Sequence, residues 1–252
     1  MASYDTLIPP EVSNDKFYRL IERLARRKEV RTILEIGSSS GDGSTAAFVS
    51  GMDRNGTRPL LYCIEIAKVR FDALKQRYAG RSDVRCYNVS TVSLDKFPSE
   101  ADVFSFHGSN TTGLNRYPLK EVIEWLRQDI EYIQTTGVQT DGIKLIKREA
   151  GIVNFDLVLI DGSAFTGAAE LDEVYGAKTI LLDDINDIKN LQNYQRLSSD
   201  PQYRLITENW KLRNGYAAFG RRRETNRRFF GWWPFARSHT PQLPPGTSRL
   251  RS

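Results

Sequence analysis

The stretch RTILEIGSSSGDGST, Arg31 to Thr45, leaves this chain few ways to fold. Ile33, Leu34 and Ile36 flank an acid, Glu35, and are followed by Gly37, Gly41 and Gly43, then by Ser44, Thr45 and an apolar segment. A short apolar run bounded by glycines predicts a buried strand, a tight turn and a helix start. Glycine has no Cβ to bar positive φ or a close approach, and a helix opening at Ser44 leaves its first N–H groups unpartnered. The unit is therefore a binding turn for a small polar ligand, or a plain strand-to-helix turn with glycines for packing.

The pattern recurs. PLLYCIEI (59–66) is a second apolar run ending in an acid, Glu65, and VRCYNVST is a third strand. NFDLVLIDGSAFTG (154–167) delivers Asp161 and Gly162 to a strand end, and AKTILLDDINDIKN delivers Asp183 and Asp184. Helical spacing in Phe17, Leu20, Ile21 and Leu24 predicts an amphipathic helix against the sheet edge, or a lid. AKVRFDALKQRYAG predicts another, closed by Gly80. YRLITENWKL and GYAAFGRR flank Asn214-Gly215, a hairpin signal. Strands alternating with helices predict a parallel α/β sheet, here finished by an antiparallel hairpin.

The glycine spacing GxxxGxG, with an acid two residues before the first glycine, departs from the GxGxxG of dinucleotide sites. It resembles the first motif of the class I methyltransferases that use S-adenosylmethionine. That resemblance covers about Ile33 to Arg221, apart from an inserted stretch. It implies a Rossmann-like sheet of five parallel strands plus a C-terminal antiparallel hairpin, with helices on both faces. It also implies that Glu35 lies beneath the loop and that Gly37, Ser38, Ser39, Gly41, Gly43, Ser44 and Thr45 form the cofactor turn. A carboxylate at the tip of the second strand can accept both ribose hydroxyls of a nucleoside, which assigns Glu65 and Ile66 to the cofactor; otherwise Glu65 is a solvated strand-end acid. Asn88, Val89 and Ser90, just past the third strand, are carried over as adenine neighbours.

NFDLVLIDG resembles the corresponding strand of small-molecule O-methyltransferases and of bacterial methyltransferases found with sugar and antibiotic pathways. The histidine that often follows there, and the lysine three residues past the aspartate in catechol-type enzymes, are replaced by Ser163, Ala164 and Phe165. Asp161 is the first candidate to orient or deprotonate an acceptor, with Asp184 second, and Asp161 and Gly162 also border the cofactor. The resemblance further implies a Mg2+ or Mn2+ site from Asp161, Asp184 and Asn186, whose oxygen ligands suit either ion. Alternatively, Asp184 caps the next helix. The activity implied is S-adenosylmethionine-dependent O-methylation of a small molecule or saccharide hydroxyl. The rivals are a methyltransferase-like binding subunit without catalysis and an NAD-type oxidoreductase.

Residues of about 99–153 exceed an ordinary connection and contain PLKEVIEWLRQDIEYI, with Val122, Trp125, Leu126 and Ile130 on one helical stripe. They are read as a helical cap that shapes substrate choice, or as a decoration or dimer contact. His107, in the loop entering this insertion, is either exposed or a base reaching the pocket. Cys63 and Cys86 form no CxxC pair and are read as buried thiols.

Charge divides the chain into a domain of 1–221 and a tail of 222–252. From Arg221 onward there are eight arginines and one acid, Glu224, whereas the first 220 residues hold 28 basic and 30 acidic side chains. The basicity belongs to the tail, which argues against a nucleic-acid cleft on the body. The tail, with Phe229, Phe230, Trp232, Trp233 and Phe235 among its arginines, is expected to be disordered, with weak contact to an anionic membrane surface or a partner. No run approaches the ~20 apolar residues of a membrane span, and the N-terminus lacks signal-peptide features. The expected place is the cytoplasm, peripheral to a membrane if the tail binds one.

Overall fold

Short apolar segments that must be buried on both faces can only be central parallel strands, and the computed structural model, which describes residues 4–222, builds them so. The elements run α1 (Lys16–Ala25), β1 (Thr32–Ile36), α2 (Ser44–Asp53), β2 (Leu60–Ile64), α3 (Lys68–Arg77), β3 (Val84–Tyr87), α4 (Glu100–Ser109), α5 (Leu119–Thr136), α6 (Gly142–Ala150), β4 (Leu157–Ile160), α7 (Gly167–Val174), β5 (Thr179–Asp183), α8 (Leu191–Ser199), β6 (Tyr203–Asn209) and β7 (Tyr216–Arg221). The seven strands lie in the order β3-β2-β1-β4-β5-β7-β6. The first five are parallel and β7 runs antiparallel to both β5 and β6, as the sequence predicts. The order reverses between β1 and β4. That is where an open α/β sheet leaves a crevice at its carboxyl edge.

The sheet is the middle of three layers. One face packs Ile33, Leu61, Leu157 and Leu159 against Phe17, Leu20, Leu24, Phe48 and Leu74 of α1, α2 and α3. The other packs Leu34, Ile36, Val158, Ile160 and Leu182 against Ile143, Ile146, Leu171 and Leu197 of α6, α7 and α8. Each such fully buried aliphatic side chain contributes roughly 1.5–3 kcal/mol.

The first helix, expected against the sheet edge or as a lid, instead packs beside α2 in the layer on one face of the sheet. Asp15 caps α1 by accepting from the Tyr18 N–H at 2.8 Å, and a Cβ on Gly51 of α2 would lie 2.4 Å from the Glu22 carbonyl oxygen, so the helices are in direct backbone contact. The inserted stretch also divides. α6 packs on the sheet as an ordinary crossover helix, whereas α4 and α5 build a separate cluster of Val103, Phe106, Leu114, Val122, Leu126 and Phe165. His107 lies within α4 rather than a loop, its Nε2 3.2 Å from the Tyr117 carbonyl oxygen. The hairpin before β7 is wider than an Asn-Gly two-residue turn: Asn209 Oδ1 accepts from the N–H groups of Lys211 and Leu212, and Gly215 has φ +82°. The expectations for the basic aromatic tail concern residues outside those described.

Candidate active site

A cleft of about 510 Å3 opens at the crevice between β1 and β4, a size suited to a nucleoside and a small second ligand. Its floor is the turn after β1. The N–H groups of Gly37 and Ser38 both donate to the Ile64 carbonyl at 3.0 Å, which hangs the turn on the tip of β2. Gly37 has φ +85°, and a Cβ there would stand 2.1 Å from the Asp161 carbonyl oxygen. No other residue fits between the two strand ends. Gly43, which precedes α2, offers no side-chain cap, so the first N–H groups of that helix are left for a ligand or solvent.

Glu35 is wholly buried beneath this turn. Its Oε2 accepts from Ser38 Oγ at 2.8 Å and Thr45 Oγ1 at 2.7 Å, and Oε1 has no partner among the described residues. Burial raises its pKa above the usual carboxylate range, against the pull of those hydroxyls. Glu65 stands at the rim, 5% exposed, with Oε2 accepting from the Ser39 N–H at 2.7 Å and Oε1 from the Ala67 N–H at 2.8 Å. Each carboxylate oxygen keeps a second lone pair for a hydroxyl.

Gly37, Ser38, Ser39, Gly43 and Ser44 line the cleft, as do Glu65, Ile66, Val89, Ser90, Asp161, Gly162 and Asp184. Glu35, Gly41, Thr45 and Asn88, expected among the binding residues, do not. Glu35 and Thr45 brace the turn from below. Gly41 accepts through its carbonyl from Tyr78 Oη at 2.6 Å. Asn88 Nδ2 donates to the carbonyls of Glu65 and Ile66 at 2.9 and 2.8 Å and so holds the rim.

The far end of the cleft is ionic. Lys189, just before α8, places Nζ 2.9 Å from Asp161 Oδ1 and 2.7 Å from Asp184 Oδ2. Burial pushes Asp161 up to about 6 despite Lys189, with the Asp184 charge adding to the rise. Burial alone would raise Asp184 too, but Lys189 outweighs it and holds that carboxyl below its ordinary value. Asp187, also on the cleft, is pushed up to about 6 by burial and by Asp184. Asp183, beside this group, does not line the cleft, and burial followed by the Asp161 and Asp184 charges raises its carboxyl well above the ordinary value. It is 2% exposed and paired with Arg213, which also pairs with Asp15 before α1.

The Mg2+ or Mn2+ site expected from Asp161, Asp184 and Asn186 does not fit these positions. The ammonium of Lys189 already lies between the two carboxylates, and Ile185, next to Asp184, is buried in the sheet core. Asn186 is absent from the cleft wall, its backbone N–H donating to the Asn214 carbonyl at 2.8 Å and its own carbonyl accepting from Gly113. Among the described residues no group of three or more His, Cys, Asp or Glu is arranged to hold a metal ion. Nor does Asp184 cap a helix: the cap position of α8 is Asn190.

Three contributions escaped the sequence reading. Residues 4–12 cross the cleft, with Tyr4 stacked on Tyr132 at 4.1 Å and Ile8, Pro9, Pro10 and Glu11 on its wall. Asp129 of α5, 2% exposed, accepts from Tyr4 Oη and from Ser163 Oγ, each at 2.5 Å. Lys189 is the third. Its only signal is its place in DDINDIKN, five residues past Asp184, where a strand-to-helix connection can fold back on the strand tip.

No protein-family model and no curated sequence matches the chain. Its structure is similar to that of an O-methyltransferase from Bacillus cereus in complex with SAH, at 15% identity and a TM-score of 0.53, covering 85% of this chain and 84% of that one. It is similar too to a Staphylococcus aureus protein assigned as a caffeoyl-CoA O-methyltransferase, at 16% identity and a TM-score of 0.50, covering 83% and 85%. At these identities the likeness establishes the fold, which is that of the class I methyltransferases.

Proposed function

We propose that this chain is an S-adenosylmethionine-dependent methyltransferase acting on a hydroxyl of a small neutral acceptor, a saccharide being the leading class. The observation that carries the reading is the contact of the glycine turn with the Asp161 backbone at Gly37, which sets the nucleoside half of the cleft against the ionic half. Bound S-adenosylmethionine supplies a methyl group on a sulfonium, so carbon–oxygen bond formation is matched by carbon–sulfur cleavage and needs no further activation of the leaving group. The protein has then to align an acceptor and take one proton. Glu65 holds the ribose hydroxyls, the turn and the start of α2 receive the methionine part, and Val89, Ser90 and Thr91 border the base. Asp161 accepts the proton. A hydroxyl becomes strongly acidic as its oxygen takes the methyl, so a carboxylate near 6 is basic enough.

The cleft's charge narrows the acceptor. Eight acids, Glu11, Asp42, Glu65, Glu121, Asp129, Asp161, Asp184 and Asp187, line it against Arg70 and Lys189, a balance that disfavours polyanionic acceptors such as coenzyme A thioesters. Tyr117 and Trp125, in edge contact at 4.8 Å, add apolar surface for a ring. Thermal shift with SAH and with NAD tests the reading: at one hundred times its dissociation constant, SAH should add roughly 2.7 kcal/mol and several degrees of melting temperature. A response to NAD alone would point to the oxidoreductase, and none to either ligand would point to a binding subunit.

A further inference from the structure

The ionic end of the cleft holds a cation of its own. Lys189 Nζ bonds Asp161 and Asp184, and its side chain is 11% exposed. An ammonium has three N–H donors; these bonds use two, one is left over, and Lys189 is among the residues that line the cleft. Its two partners stand one residue past the ends of neighbouring parallel strands, Asp161 after β4 and Asp184 after β5; the pairing Ile160↔Leu182 sets Asp161 level with Asp183, so Asp184 meets the lysine from one residue further along. Asp184 is held there with φ +55°, a conformation unusual for a residue with a Cβ.

We propose that the Lys189 ammonium takes the place of a divalent cation in this site, binding the acceptor oxygen through its remaining N–H so that methyl transfer proceeds without a metal. This rests on the methyltransferase reading above. Lys189 is a donor and not the base: its Nζ already donates to two carboxylates, Asp161 at 2.9 Å and Asp184 at 2.7 Å, as an ammonium does. The acceptor oxygen, polarised by Lys189, forms its bond to the methyl carbon as the carbon–sulfur bond breaks. The hydroxyl proton passes to the Asp161 carboxylate and leaves to solvent at neutral pH. No oxidant, reductant or further reactant is required. A divalent ion entering between Asp161 and Asp184 would meet the ammonium at contact distance, which gives the lysine a reason to exclude it.

Mn2+ binding to the full-length protein, followed by electron paramagnetic resonance with and without SAH, tests the proposal independently of turnover. The wild type should show no saturable site in the micromolar range. Lys189→Ala leaves the Asp161 and Asp184 carboxylates facing a vacated position and should bind Mn2+ about tenfold or more tightly than wild type, while keeping its SAH affinity. A micromolar Mn2+ site in the wild type that Mg2+ displaces would overturn the proposal, whether or not any variant folds. So would a Lys189→Ala protein that binds SAH normally and gains no Mn2+. Failure of the wild type to bind SAH would strike the methyltransferase reading and leave the cation result standing.

Discussion

Asp161 combines what a proton acceptor needs with what a cofactor site needs. Its carboxylate reaches Lys189 while its backbone carbonyl touches Gly37, so a single residue couples the two halves of the cleft. Because burial lifts its pKa to about 6, the ionised form that can take a proton is complete only above that pH. Turnover should therefore hold a plateau at neutral pH and fall about tenfold per unit as pH drops below roughly 6. Asp161→Asn should lower turnover by roughly 100-fold or more and abolish this limb while leaving SAH affinity within a few-fold; an unchanged pH profile in that variant would assign the proton to another group. Gly37 makes the complementary prediction. An alanine there combines positive φ with a Cβ 2.1 Å from the Asp161 carbonyl, so Gly37→Ala should cost about 2 kcal/mol or more in urea unfolding and weaken SAH binding with it.

The segment of residues 4–12 and helix α5 form the cover of the cleft, and they meet at Asp129. Tyr4 contributes a stack on Tyr132 and a hydrogen bond to that carboxylate, with Arg70 Nε donating to the Thr6 carbonyl at 3.1 Å. A segment outside helix and strand, as residues 4–12 are, opens at less cost than global unfolding. Tyr4→Phe, which keeps the ring and removes the hydroxyl, should thus speed SAH release several-fold, as read by stopped flow, and move the melting temperature by less than about 2 °C. A large fall in melting temperature with unchanged release would make Tyr4 a core residue instead. The cover is also where the sequence was least readable. β1, β2, β4 and β5 could be placed because an apolar run ending in Glu or Asp carries its own local signal, and Gly37 because it stands at the end of one. Tyr4, Asp129 and Lys189 carry no such signal: each is an ordinary polar residue until a tertiary contact brings it to the cleft from another element. The same limit explains α1, whose stripe of Phe17, Leu20, Ile21 and Leu24 announces an apolar face without saying what it covers, and the insertion, where α6 is told from α4 and α5 only by what it packs on.

Beyond the cleft, the chain separates its charges. The first 220 residues are close to neutral, with 28 basic against 30 acidic side chains, while eight arginines and one acid follow from Arg221. Residues up to Arg222 form one compact unit, so a chain ending there can be tested beside the full chain. Among the described residues no helix is long and apolar enough to cross a membrane. The sequence after Arg222 carries the composition that suits an anionic bilayer surface, in Arg223, Arg227, Arg228, Phe229, Phe230, Trp232 and Trp233. Each arginine near an anionic leaflet is worth about 1 kcal/mol at physiological salt and much less once the Debye length shrinks to about 3 Å near 1 M. Full-length protein should therefore sediment with phosphatidylserine vesicles at low salt, release as salt rises, and ignore neutral vesicles. A chain ending at Arg222 should bind SAH as the full chain does and stay in the supernatant throughout. If the shortened chain sediments equally well, the contact belongs to residues up to Arg222; if neither form sediments, the residues after Arg222 do not bind an anionic bilayer and the expectation fails.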